Sequence, residues 1–165
     1  AAVREVKDPV RAPIQCPQFE FPARCITVNL APANLPKDGG RYDLPIALGV
    51  LAASGQVPLE ALRDCEFLGE LGLTGEVRAI DGSLPAALAA ARDGRKLVVP
   101  FANGGEAALA SNSDVRSART LLQVCAALSG RIELPQAEPE SWPPMPVPDL
   151  AAVCAIGRET SRARV

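Results

Sequence analysis

The chain has 165 residues, 48% of them hydrophobic, a formal net charge of −2 and no histidine. That length holds one ordinary domain with a core plus spare tail, not a multidomain machine. The near-neutral charge gives no global pull toward nucleic acid or anionic membrane, so any such contact is local or belongs to a partner.

The opening stretch, residues 1–23, has helix-like composition at 1–8, but Pro9, Pro13 and Pro17 then recur every four residues. Inside a helix each removes a hydrogen bond and clashes with the preceding turn, at about 3 kcal/mol apiece. One continuous helix is therefore not expected there. In "RCITVNLAPA", Ile26, Val28 and Leu30 alternate with Thr27 and Asn29, which predicts a strand with one buried face. Residues 32–40 are punctuated by Pro and Gly and read as a loop. Asp43 is the expected N-cap of a helix over "LPIALGVLAAS", with Pro45 in its first turn and Gly55 as its stop. This helix is apolar nearly all round, so burial is expected.

"CEFLGELGLTGEVRAIDG" places glycines at 69, 72, 75 and 82 between short apolar pieces, predicting a pair of strands joined by a tight turn around Thr74 and Gly75. "SLPAALAAARDG" carries Pro85 near its start and Gly94 at its end, the start and stop signals of a helix. "KLVVPF" is a short strand suited to a sheet interior. A short helix in "GGEAALAS", a strand in "VRSA" and an amphipathic helix in "TLLQVCAALSG" follow, the last with Leu121, Val124, Cys125 and Leu128 on one face. The order β, α, β-hairpin, α, β, α, β, α predicts a two-layer α/β domain over residues 24–131.

Residues 132–148, "IELPQAEPESWPPMPVP", are proline-dense and read as a semi-stiff linker rather than a core element. A linker of that length implies something beyond it. The closing "DLAAVCAIGRETSRARV" is too short for a domain and reads as a frayed tail rather than a docking helix, so 132–165 is taken as linker and tail.

Few residues suggest chemistry. The cysteines, at 16, 25, 65, 125 and 154, contain no C-x-x-C pair, which supports neither a zinc site nor a disulfide framework; free thiols of a cytoplasmic protein are the expectation. No signal peptide or apolar run of spanning length is evident. Missing histidine removes the commonest general base. Glu66, Glu70 and Glu76 are unevenly spaced and read as solvated or turn-contacting carboxylates rather than an acid/base pair. Arg92, Arg95 and Lys96 in "RDGRK" offer a weak phosphate contact, against the simpler reading of a solvated helix C-terminus. No G-x-x-x-x-G-K occurs, so no Walker A loop and no ATP site are expected.

The blocks "ITVNLAP", "LPKDGGRYDLPIALGVLAASGQ", "FLGELGLTGEVRAIDGSLPAAL" and "VVPFAN" resemble the N-terminal domain of the magnesium-chelatase-related AAA+ proteins of the ComM/YifB group, over residues 1 to about 130. The resemblance implies the fold of the Lon protease catalytic domain, which is that of ribosomal protein S5 domain 2. It also implies a following AAA+ ATPase module and a link to ATP-driven DNA branch migration, a helicase-type activity, in natural transformation. ATP and Mg, a hexameric state and DNA contact would come with that module; no cofactor, metal site or membrane contact is expected of this chain. The family's pattern at 1–16 resembles a helix, from which the early prolines depart.

Lon-type peptidases place a Ser nucleophile just after a PKDG turn and a Lys base further on. Here the turn is Pro36, Lys37, Asp38 and Gly39, the Ser position falls on Arg41 and the Lys position on Leu84. Asp43 lacks an activating partner and reads as a helix cap rather than a nucleophile. Three readings follow: a non-catalytic Lon-like domain of a ComM-type AAA+ protein, an active Ser-Lys peptidase, or a standalone binding module or remnant.

Overall fold

The structure, a computed structural model, describes residues 2–5, 19, 26–30 and 40–140. Strand β1 (Ala2–Glu5) pairs antiparallel with β2 (Thr27–Leu30), with Ala2 opposite Leu30 and Glu5 opposite Thr27. The helix-like composition at 1–8 is thus overruled at 2–5, because a ladder to a distant strand outweighs weak local propensity. Pro9, Pro13 and Pro17 lie outside the described residues. Along β2, Val28 is half-buried while Thr27 and Asn29 are exposed, the expected alternation.

Helix α1 (Asp43–Ala53) buries Leu44, Ala47, Leu48, Val50 and Leu51. It ends at Gly55, whose φ of +77° suits the left-handed stop and whose N–H donates to the Ala52 carbonyl. Its start corrects the expected N-cap. A 3-10 turn over Gly40–Tyr42 already winds the chain, so Tyr42 holds the cap place without a side-chain cap and Asp43 is the first helical residue. The Asp43 carboxylate instead accepts a long hydrogen bond, 3.4 Å, from the Leu71 N–H.

The glycine-rich stretch gives the expected hairpin and one strand more. β4 (Glu70–Leu71) and β5 (Val77–Arg78) pair antiparallel around Gly75. β3 (Cys65–Phe67) joins a different sheet, parallel to β6 (Lys96–Pro100), which is itself parallel to β7 (Asp114–Ala118). β6 is therefore central, as its apolar run predicts.

Alternate residues of β6 feed two apolar clusters. Leu97 and Val99 pack with Ala87 and Ala90 of α2 (Ser83–Arg92) and Ala107 of α3 (Gly104–Ala107). Val98 packs with Leu44, Leu48 and Leu51 of α1 and with Leu121, Val124 and Cys125 of α4 (Leu121–Leu128). The result is an α/β fold with a parallel three-stranded sheet and helices, compatible with the two-layer expectation. Thr120 caps α4 by accepting from the Gln123 N–H at 3.2 Å.

The proline-dense stretch does not leave the domain at residue 132. Leu134 is buried in the α1–α4 cluster, Ser117 N–H donates to the Pro135 carbonyl at 3.1 Å, and Ala137 N–H donates to the Val115 carbonyl at 2.9 Å. Residues 133–137 thus line the outer edge of β7, and Glu140 N–H reaches the Gly105 carbonyl of α3 at 3.4 Å. Pro135 can accept but not donate, so one rung is missing, which an edge tolerates. The linker and tail beyond residue 140 lie outside the described residues.

Candidate functional site

The two motif blocks meet where α1 begins. Gly69 N–H donates to the Arg41 carbonyl and Leu44 N–H donates to the Gly69 carbonyl, both at 3.0 Å, so one residue clamps the 3-10 turn and the first turn of α1 onto the sheet side. A Cβ on Gly69 would lie 2.7 Å from Val77 Cγ1 and 3.3 Å from Leu44 Cδ2. Only glycine fits this clamp without moving packed side chains.

The facing wall is the loop from Ala79 to Gly82. Asn103, buried, holds it at two points: its Oδ1 accepts from the Ile80 N–H at 3.0 Å and its Nδ2 donates to the Ile80 carbonyl at 2.8 Å. Next to the loop, fully buried Ser83 donates to the Glu106 carboxylate, tying α2 to α3. Gly82 turns the chain with φ +82°, and the Arg41 guanidinium lies close by, 3.9 Å from where a Cβ on Gly82 would stand. Between the walls Gly40, Arg41, Glu70, Ala79, Ile80 and Asp81 line a cleft of about 210 Å³.

Of the motif positions, Arg41 lines this cleft, Asp43 stands behind Gly40, and Leu84 opens α2 and packs against the Ala87 and Ala90 cluster. Lys37 and Asp38 lie outside the described residues. The cleft thus combines a guanidinium with the carboxylates of Glu70 and Asp81, groups that make ion pairs and charge-assisted hydrogen bonds. Neither a hydroxyl nor an amine side chain is among its described lining residues. Asn103 and Glu106 carry this geometry but were not singled out by sequence reasoning, and Gly69 was named only as a glycine between short apolar pieces. They stand in "VVPFAN", "GGEAALAS" and "FLGEL", without the partners that explain them.

The other candidates disperse. Glu70 and Glu76 both face Arg78, and Glu66 lies 3.7 Å from Arg95, so the three glutamates serve ion pairs. Arg95 also donates to the carbonyls of Arg63, at 2.6 Å, and Cys65, at 3.3 Å, and so fastens a loop instead of sharing a phosphate contact with Arg92. Cys65 and Cys125 are free thiols; burial raises both, Cys125 to about 12. Cys16, Cys25 and Cys154 lie outside the described residues. Among the described residues no group of three or more acidic or Cys side chains could hold a metal ion, and no helix is long and apolar enough to cross a membrane.

Burial pushes the Asp43 carboxyl above its ordinary value of 3.8, the Leu71 N–H opposes this, and the Glu70 carboxylate adds to it. A folded-state pKa above the unfolded one means that the native state holds the proton longer, so stability falls as pH rises through that window. Asp43→Asn keeps an acceptor for Leu71 and removes the charge. The variant should be more stable than the parent at pH 7, and the difference should disappear below the unfolded value. Urea midpoints across this pH range check it; a variant weaker than the parent at pH 7 contradicts the sign.

Compared with known proteins, residues 1–103 match the family described as subunit ChlI of Mg-chelatase. The chain is 49% identical over 135 residues to the competence protein ComM of Haemophilus influenzae, covering 82% of this chain and 26% of that protein. It is 44% identical over 162 residues to the uncharacterized protein YifB of Salmonella typhimurium, covering 97% of this chain and 31% of that protein. It is 41% identical over 169 residues to the uncharacterized protein Mb2921c of Mycobacterium bovis, 98% of this chain and 32% of that protein. The chain spans roughly a quarter to a third of the length of these relatives.

Proposed function

The chain belongs to the Mg-chelatase ChlI-subunit family, in its ComM/YifB group, and from that membership we propose that it acts as a non-catalytic domain attached to an AAA+ ATPase motor. On this reading the fold is that of the Lon catalytic domain and ribosomal protein S5 domain 2. Longer proteins of this type would carry ATP, Mg, hexamer formation and DNA contact on the motor, and would serve competence through branch migration. This chain would supply a rigid platform beside that machinery, in the cytoplasm.

One observation carries the reading. The cleft that gathers the two motif blocks is built around Arg41, at the position where a Lon-type peptidase has its Ser, and Leu84, at the Lys position, is packed against alanines. A guanidinium, which stays protonated at neutral pH, is neither a nucleophile nor a base there. The walls are nonetheless fixed by buried contacts, the Gly69 clamp and the Asn103 bridge, which favours a shape kept for packing or docking over a reaction.

The test uses the 165-residue chain in two assays, cleavage of an unstructured fluorogenic peptide and binding of a labelled ATP analogue. Neither signal is expected. Cleavage that is abolished by Arg41→Ala without a change in melting would restore the peptidase reading, and saturable micromolar nucleotide binding would place an ATP site where the sequence has no phosphate loop.

A further inference from the structure

We propose that residues 133–140 form a strap that opens as a unit of its own, with Arg116 as the latch that holds it on β7. Arg116 projects from the middle of β7 and spends its donors in two directions. Its Nε donates to Asp114 Oδ1 at 2.7 Å, which fixes the guanidinium against its own strand. Its Nη1 donates to Glu133 Oε1 and to the Leu134 carbonyl, each at 3.1 Å, which fastens the start of the strap. The Arg116 side chain is only 23% exposed, so its bonds to Asp114 and to the Leu134 carbonyl are more sheltered from water than an ordinary surface pair, while Glu133, 86% exposed, adds a solvated clasp.

Beyond the latch the strap has little to hold it. Leu134 is its one buried side chain among the described residues, and Ala137 is half-buried; the remaining positions from 133 to 140 are exposed. Its backbone ties are the bonds Ser117 to Pro135, Ala137 to Val115 and a long 3.4 Å bond from Glu140 to the Gly105 carbonyl. Pro135 deletes the reciprocal rung to Ser117. A segment with one apolar anchor, few ladder bonds and a charged clasp opens at lower free energy than the core it lies on.

Opening has a defined consequence. Ile132, Glu133 and Leu134 form one wall of a second cleft, of about 240 Å³, whose other walls include Cys65, Phe67 and Val98. Release of the strap therefore removes one wall of the cleft that the half-buried Cys65 lines, widening access to its thiol, and frees the outer edge of β7, a row of backbone groups ready to pair with another strand. The latch thus governs access to an edge and a cleft without altering the central sheet.

The experiment is amide hydrogen exchange on the full 165-residue chain, with N-ethylmaleimide labelling of Cys65 read by peptide mass spectrometry. In the parent, the Ser117 and Ala137 amides should exchange faster than the Leu68 amide, which is bonded to Val98 across β3 and β6. Arg116→Met keeps the apolar stem and removes the donors; Ser117 and Ala137 should exchange about tenfold faster, with Cys65 labelling rising in parallel and Leu68 within about twofold of the parent. Equal acceleration at all three amides would show that the strap opens only with the whole domain. Unchanged exchange at Ser117 and Ala137 would show that Arg116 is no latch. If Arg116→Met does not fold, Glu133→Gln, at an exposed position, decides: about two- to threefold faster exchange confined to the same two amides supports the latch, and no selective change overturns it.

Discussion

Leu44→Ala is expected to destabilise the domain by about 2–5 kcal/mol, the range for truncating a fully buried leucine in a core that only partly collapses. Leu44 has no exposed surface and lies in the cluster with Leu48, Leu51, Leu121 and Val124. It is also the residue whose N–H closes the Gly69 clamp, and its Cδ2 lies against the space that Gly69 leaves empty. The loss is a large fraction of a typical domain stability of about 5–15 kcal/mol, so the urea midpoint should fall steeply at unchanged slope. Because the same side chain backs the turn that carries Arg41, exchange at the Gly69 amide should rise with it. A midpoint equal to that of the parent would show that the start of α1 is not part of the core.

Much of this fold was legible because single segments carried their own instructions. The run from Leu97 to Pro100 in β6 is apolar with β-branched valines and suits a strand with neighbours on both sides, and α2 announces itself by Pro85, alanines and Gly94. The amphipathic face of α4, with Leu121, Val124 and Cys125, proved to be the buried one. Where the outcome depends on a partner far along the chain, composition fails. β1 is a strand because β2 offers it a ladder, and residues 133–137 lie on β7 because an edge forgives a proline such as Pro135 in the stretch that suggested a linker.

The candidate site was legible in the same uneven way. Arg41 and Leu84 could be placed at motif positions from the resemblance, and Arg41 does line the cleft. The role of Asp43 could not be read, because capping depends on where the preceding turn begins to wind, and that turn starts at Gly40. Side-chain bonds that cross between motif blocks leave no local periodicity to read, and Asn103 is the clearest case, bonded to a residue 23 positions earlier.

Asn103→Ala is accordingly expected to cost about 1–3 kcal/mol, since it strands both the N–H and the carbonyl of Ile80 where the protein shelters them from water. The effect should be local before it is global: exchange at the Ile80 amide should rise more than at Leu68 in the sheet, because the loop from Ala79 to Gly82 loses its two-point hold while the core of β6 is untouched. Asn103→Asp separates the two bonds. It keeps the acceptor for the Ile80 N–H but sets a carboxylate oxygen against the Ile80 carbonyl, which disfavours the charged form and raises the introduced acid's pKa in the fold. Protonation restores a donor toward that carbonyl, so Asn103→Asp should be weaker than the parent at pH 7 and recover toward it as the pH falls through that raised pKa, the reverse of the usual acid loss. Urea midpoints of both variants at pH 7 and pH 4 decide it. If Asn103→Asp loses stability on acidification faster than the parent, the side chain does not donate to Ile80 and the cleft wall is held by something else.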